Sequence, residues 1–163
     1  MLNYMFLRQD ISKKELSKIY NEFKDKLSPL NLEKKFARQK YSYDDKTNPL
    51  WYTFKNNEAD FIKKFIEKIG LSNFENKITL SLLPVGYSLP DHTDFGRRTV
   101  IIIPILGYDA PVIIENEEVF YKDSPLLMDA SKIHSVPTHT QDRIGIQISF
   151  KQSFKKIIEK INA

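Results

Sequence analysis

The chain has 163 residues, 41% of them hydrophobic and 12% aromatic, enough for one folded domain with a core and a pocket, and it lacks the roughly 18 uncharged apolar residues in a row that span a bilayer. Its 25 lysines and arginines against 21 acidic residues give a formal net charge of +4, but pairs such as Lys13-Lys14, Lys63-Lys64 and Lys155-Lys156 are scattered over helical faces, so a nucleic-acid or membrane partner is not expected. With no cysteine, disulfides, zinc-thiolate centres and thiol catalysis are excluded, histidine and carboxylate remain as metal ligands, and a start without a basic segment and apolar core gives a cytoplasmic location as the expectation.

Leu16, Ile19, Tyr20, Phe23 and Leu27 recur at three- and four-residue steps, and Ser12 with Glu15 forms a capping box, predicting a helix over 12–27. Asn31 to Lys55 reads as irregular and aromatic, with Tyr41, Tyr43, Pro49, Trp51, Tyr52 and Phe54. A second helix is expected from about Glu58 to Ile69, with Phe61, Ile62, Phe65, Ile66 and Ile69 as its apolar stripe and Gly70 as its stop. After Gly70 short β-type runs separated by turn residues take over: KITLSLLP, RTVIIIPIL, APVIIEN, EEVFYK, PLLMDAS, IHSVPT and RIGIQISF. A last helix is expected over about 152–161.

This order predicts an α+β, mainly β protein in one domain: a helical and irregular part over 1–70, a β core over 77–150 and the closing helix. The core is expected to be a double-stranded β-helix, a cupin-like jelly roll, with the N-terminal helices packed on one sheet.

The stretch LPDHTDFGRRTVIIIPI places His92 and Asp94 in a loop ahead of a strongly apolar strand. An H-x-D pair by itself commonly caps a turn. His134 further along completes two histidines and one carboxylate, the ligand set of the facial triad that binds non-haem Fe(II) and leaves three coordination positions open. Arg143 follows at the start of RIGIQISF, where alternation puts Arg143, Gly145, Gln147 and Ser149 on one face and Ile144, Ile146, Ile148 and Phe150 on the other. An arginine facing the inside of a sandwich needs an anion, and its planar fork suits a carboxylate. Gly145 beside it is expected to leave room for a small ligand, and Val100 and Ile102 to supply an apolar wall.

The order H-x-D, distal His, then Arg over a set of short strands resembles the Fe(II)/2-oxoglutarate-dependent dioxygenases. LLPVGYSLPDHTD and LLMDASKIHSVPTHTQDRIGIQISF are similar to the two motif regions of the aspartyl/asparaginyl β-hydroxylase-like group, over roughly Thr79 to Phe150. The resemblance implies that His92, Asp94 and His134 hold Fe(II), that Arg143 grips the distal carboxylate of 2-oxoglutarate, and that Arg98 lies near this cosubstrate. It also implies partners of 2-oxoglutarate, O2 and a substrate whose C–H is hydroxylated as succinate and CO2 leave. Two departures stand out: those β-hydroxylases lack the acidic ligand that Asp94 supplies, and Val100 replaces their histidine two residues after the strand arginine. Retaining a carboxylate ligand argues against halogenation.

Tyr87 and Arg97 are expected at the pocket rim, and Trp51 there or in the core. His139, at a turn tip, competes with His134 as distal ligand but is expected to be solvent-exposed or substrate-facing. Asp91 is assigned to the turn. The structural alternatives are a solvated turn for His92 and Asp94, a satisfied strand histidine for His134, and a surface Arg143 paired to Asp142 or Asp129. The functional alternatives are a cupin-like metal-binding protein or isomerase without oxygenase activity and, more remotely, a nucleic-acid-modifying oxygenase.

Overall fold

The computed structural model describes residues 2–29, 49–94 and 96–161. Helix α1 (Lys13–Phe23) starts where its cap dictates: the Glu15 N–H donates to Ser12 Oγ at 3.2 Å, and Leu16, Ile19 and Phe23 are buried. It ends earlier than the apolar spacing predicts, tightening through a 3-10 turn, Lys24–Lys26, before the short strand β2 (Ser28–Pro29). Helix α2 (Asp60–Lys68) buries Ile62, Phe65 and Ile66. Gly70, at φ +86°, lets the Leu71 N–H reach back to the Ile66 carbonyl at 3.0 Å, which stops the helix as expected. Helix α3 (Phe154–Lys160) closes the chain, capped by Ser153.

The remaining strands are β1 (Tyr4–Phe6), β3 (Leu50–Thr53), β4 (Asn76–Leu83), β5 (Leu89–His92), β6 (Thr99–Leu106), β7 (Val112–Ile114), β8 (Glu117–Val119), β9 (Leu126–Asp129), β10 (His134–Val136) and β11 (Arg143–Phe150). Every β-type run expected after Gly70 is a strand. Four strands escaped the pattern, among them β2, a pairing only two residues long. β1 is too short to show alternation, β3 lies inside the segment expected to be irregular, and β5 carries the H-x-D histidine in place of a loop. Tyr41 and Tyr43 lie outside the described residues.

Among the described residues the strands form two antiparallel sheets, a larger one in the order β1-β9-β6-β11-β4-β3-β2 and a smaller one in the order β5-β10-β7-β8. This is the double-stranded β-helix. Strand β11 is the spine of the larger sheet, paired along its whole length to β4 and from Ile144 onward to β6. Its outer face, Ile144, Ile146, Ile148 and Phe150, packs with the helix residues Ile19, Ile62, Phe65 and Ile157 into one core. Its inner face looks across to the smaller sheet, and between the two sheets Val100, Ile102 and Met128 of the larger and Val112 and Ile114 of the smaller make a second apolar cluster. Ladder register slips between Ile144 and Gly145, opposite the Pro104–Leu106 end of β6, where Pro104 has no N–H to give.

Ile146 is fully buried at the centre of the helix-facing core. Ile146→Ala is expected to cost about 2–5 kcal/mol in denaturant unfolding, whereas Phe120→Ala, at a side chain 55% exposed, should change stability by no more than about 0.5 kcal/mol.

Candidate metal centre and its cavity

The smaller sheet brings the two histidines together. His92 ends β5, His134 begins β10, and the two are direct antiparallel partners, with Ile114 of β7 on the other side of His134. Their rings lie 4.2 Å apart, centroid to centroid. Asp94 sits just past β5, where its backbone N–H donates to the Ala130 carbonyl at 3.0 Å. The turn before β10 is itself fixed, because Asp129 Oδ1 accepts from the Ser131 N–H at 3.0 Å and from the Ser131 hydroxyl at 2.5 Å.

The hydrogen bonds fix the chemistry of the donors. His92 Nδ1 lies 2.8 Å from the Pro90 carbonyl, and His134 Nδ1 lies 2.8 Å from the Lys132 carbonyl. A carbonyl only accepts, so each Nδ1 carries the proton, and in the neutral ring Nε2 is a bare acceptor. Both Nε2 atoms face the same carboxylate oxygen, Asp94 Oδ1, at 3.2 Å from His92 and 3.3 Å from His134. Two imidazole lone pairs and a carboxylate converge with side-chain exposures of only 2%, 6% and 8%. A cation shared by all three resolves that clash of acceptors. Neighbouring ligands on an octahedral ion with bonds of about 2.1 Å stand about 3.0 Å apart, close to the spacing present here. These residues fit a divalent metal as a facial triad, and the three ligand atoms all lie within 4.8 Å of one another.

Arg97 decides which carboxylate oxygen is available. Its Nε donates to Asp94 Oδ2 at 2.6 Å, and its Nη1 donates to Gln147 Oε1 at 2.7 Å and Ser149 Oγ at 3.1 Å, tying the loop after β5 to β11. Burial works to raise the Asp94 pKa, but the Arg97 guanidinium outweighs it and holds this carboxyl well below the usual carboxylate range. Oδ1 is left for an ion.

The triad opens into a cavity of about 490 Å³ lined also by Trp51, Tyr87, Val100, Ile102, Tyr108, Tyr121, Arg143 and Gln147. Arg143 is 1% exposed, and it pairs with neither Asp142 nor Asp129. Its Nη2 donates to the Ala110 carbonyl at 2.8 Å, and its Nε has no hydrogen-bond partner among the described residues. A buried guanidinium with unspent donors facing a cavity is a seat for an anion. Trp51 Nε1 is likewise a buried donor without a partner among the described residues.

Four expectations need correction. Arg98 is exposed and does not line the cavity: its N–H donates to the Phe150 carbonyl and its own carbonyl accepts from Ala130, so it serves as a backbone rung while Arg97 turns inward. His139 is 2% exposed, not solvated, because its Nε2 pairs with the Leu83 carbonyl at 3.1 Å; it lies outside the triad. The space over Gly145 is taken by the Tyr108 phenol and not left for a ligand, since a Cβ there would overlap the Tyr108 hydroxyl. The H-x-D histidine is a strand residue; Pro90 and Asp91 concealed β5 by breaking its alternation, and Asp91 points to solvent.

No protein-family model and no curated protein matches the chain by sequence. Its fold does match solved structures. A prolyl-4-hydroxylase from Pseudomonas putida superposes with a TM-score of 0.68 at 10% identity, covering 92% of this chain and 93% of the other. A Trichoplax adhaerens prolyl hydroxylase, solved with a fragment of the hypoxia-inducible-factor oxygen degradation domain, gives 0.67 at 15% identity, covering 95% of this chain and 85% of that one. The viral collagen prolyl hydroxylase of Paramecium Bursaria Chlorella virus-1, in complex with 2-oxoglutarate, gives 0.58 at 11% identity, covering 91% of this chain and 95% of that one. At these identities the likeness establishes the fold.

Titration of the metal-free protein with Co(II), followed by its visible d–d absorption, is expected to show one tight site that His92→Ala, Asp94→Ala or His134→Ala removes. Arg97→Met should keep the site but weaken it about 10–100-fold, as loss of an outer partner of a ligand does.

Proposed function

We propose that this chain is a single-domain Fe(II)- and 2-oxoglutarate-dependent oxygenase that hydroxylates a C–H of an amino acid, a peptide or another small substrate. The observation that carries the reading is the pairing, in one cavity, of three converging metal-ligand acceptors with a buried arginine whose donors are unspent. A protein that only binds metal has no need of the arginine. The fold likeness to prolyl hydroxylases supports the same reading, and the narrower similarity to the aspartyl/asparaginyl β-hydroxylase-like group rests on the two motif regions of the sequence.

In this reading His92 Nε2, His134 Nε2 and Asp94 Oδ1 hold the iron, and Arg97 keeps Asp94 ionised and bound through one oxygen. The bound metal supplies oxygen activation: 2-oxoglutarate and O2 become succinate and CO2, one oxygen atom going to succinate and the other into the substrate C–H as a hydroxyl. Everything else is positioning. Arg143 orients the cosubstrate through its distal carboxylate. Val100, Ile102, Val112 and Met128, from the cluster between the sheets, keep water from the reacting centre. The substrate enters past Trp51, Thr53 and Tyr87, which share the cavity wall with Gln147 and Arg97. The neighbours from Trichoplax and the Chlorella virus are named for peptide and collagen substrates, which makes a peptidyl or free amino-acid side chain the first class to try.

Anaerobic addition of Fe(II) and 2-oxoglutarate is expected to give a visible charge-transfer absorption that disappears in His134→Ala and Asp94→Ala. Arg143→Met should leave metal affinity intact while weakening 2-oxoglutarate more than about thirtyfold, the usual result of removing one partner of a buried charge pair. A colourless mixture, with keto-acid affinity equal in all variants, would refute the assignment. Release of succinate on screening amino acids and peptides would then identify the substrate.

A further inference from the structure

Away from Arg143, the floor of the cavity is polar. Register places Thr53 of β3, Thr79 of β4 and Gln147 of β11 in one row across the larger sheet, with Lys77 of β4 opposite Ser149 of β11 in the next. All of them line the cavity, and so does Trp51, two residues before Thr53 on the same face of β3.

Arg97 decides the polarity of this floor. A guanidinium can only donate, and its Nη1 takes up Gln147 Oε1 at 2.7 Å and Ser149 Oγ at 3.1 Å. The acceptor end of the Gln147 amide is thereby committed and its orientation fixed, which leaves the Nε2 hydrogens to donate. The Ser149 hydroxyl, having accepted, keeps its own hydrogen to give. Trp51 Nε1 can only donate as well, and it is buried with no hydrogen-bond partner among the described residues. The Thr53 and Thr79 hydroxyls stand 3.5 Å apart, so one of their two hydrogens is also available. Acceptors are scarce by comparison. The carboxylates lining the cavity are Asp94, committed to the metal and to Arg97, and Glu75, exposed at its rim. Lys77 and Lys151 share that rim and add positive charge beside Ser149. Leaving buried donors unpaired is costly, and a ligand that brings acceptors removes the cost.

We propose that this floor is a carboxylate seat: the substrate carries a carboxylate, held by donors of Gln147, Ser149 and Trp51, close to the C–H that is hydroxylated. The inference rests on the oxygenase reading above and narrows its substrate to carboxylate-bearing amino acids or peptides. A neutral amide brings one strong acceptor oxygen and, in its N–H, a donor that a donor-lined floor cannot answer. A carboxylate brings two acceptor oxygens and a charge that Lys77 and Lys151 favour. The carboxylate can belong to the main chain of an amino acid or to an acidic side chain, and the probes below separate the two.

The test is ligand-observed NMR titration of the Zn(II)-loaded protein saturated with 2-oxoglutarate, which needs no turnover. The probes are free amino acids, N-acetyl amino acids and the matching N-acetyl amino-acid methylamides; among the last, those of aspartate and glutamate carry a carboxylate on the side chain alone. Carboxylate probes are expected to bind at least about tenfold more tightly than probes without one, the difference that hydrogen bonds to a charged group support. Trp51→Phe and Ser149→Ala should each weaken them about five- to tenfold and leave 2-oxoglutarate affinity unchanged. Mn(II) in place of Zn(II) should broaden the signals of a bound probe, because paramagnetic broadening falls steeply with distance from the metal. Four results overturn the proposal: no binding by any carboxylate probe, uncharged methylamides as tight as the acids, bound acids that Mn(II) does not broaden, or acids that keep their affinity in both variants. The first three need no variant to fold. Any of them with 2-oxoglutarate still bound sinks this inference alone, whereas a metal-loaded protein that binds no 2-oxoglutarate sinks the oxygenase reading with it.

Discussion

Three hydrogen-bond acceptors pointed at one another in a buried space are an unstable arrangement unless a cation lies between them, and that constraint organises this molecule. The two imidazoles have committed their Nδ1 protons to the carbonyls of Pro90 and Lys132. Their Nε2 lone pairs therefore meet Asp94 Oδ1 with no proton to share. An isolated cluster of this kind would relax by rotating or by protonating. Here rotation is blocked by the strand pairing of His92 with His134, by the Asp94 N–H bond to Ala130, and by the Arg97 grip on Asp94 Oδ2.

The rest of the fold can be read as support for that corner. The helices cover the outer face of the larger sheet and make β11 rigid through its isoleucine face. Its opposite face is thereby free to be polar, with Arg143, Gln147 and Ser149 turned to the cavity. Gln147 and Ser149 hold Arg97, Arg97 holds Asp94, and the larger sheet so steadies a site whose histidines belong to the smaller one. Burial that would otherwise penalise Asp94 and Arg143 is offset by charge pairing for the first and by a carbonyl and two aromatic rings for the second.

Much of this was legible in the residues, for identifiable reasons. α1 has a capping box and α2 a glycine stop, both with three-four spacing, and the β runs from KITLSLLP to RIGIQISF are short apolar or alternating stretches bounded by turn residues. The triad was legible from its residue types, two histidines and one carboxylate in a cysteine-free chain, and the inward face of Arg143 from the alternation of RIGIQISF. What stayed hidden depends on contacts distant in the chain. β5 has Pro90 and Asp91 where an alternating strand would carry an apolar residue, and only its pairing with β10 makes it a strand. Arg97 and Arg98 are adjacent and chemically identical, and which of them turns inward is settled by the Arg98 backbone bonds to Phe150 and Ala130. Tyr108 and Tyr121 read as ordinary turn and strand aromatics. The signal that could have drawn attention to them was the pair Gly107 and Gly145, two glycines flanking one bulky residue in the fold though far apart in sequence.

The most direct measurement of the central claim is the position of the ion itself, from anomalous diffraction at the iron edge on crystals grown anaerobically with Fe(II). The account predicts a single strong peak about 2.1 Å from His92 Nε2, His134 Nε2 and Asp94 Oδ1, with Arg97 still on Oδ2. A peak elsewhere, or none in crystals where those three atoms keep their present spacing, would contradict it.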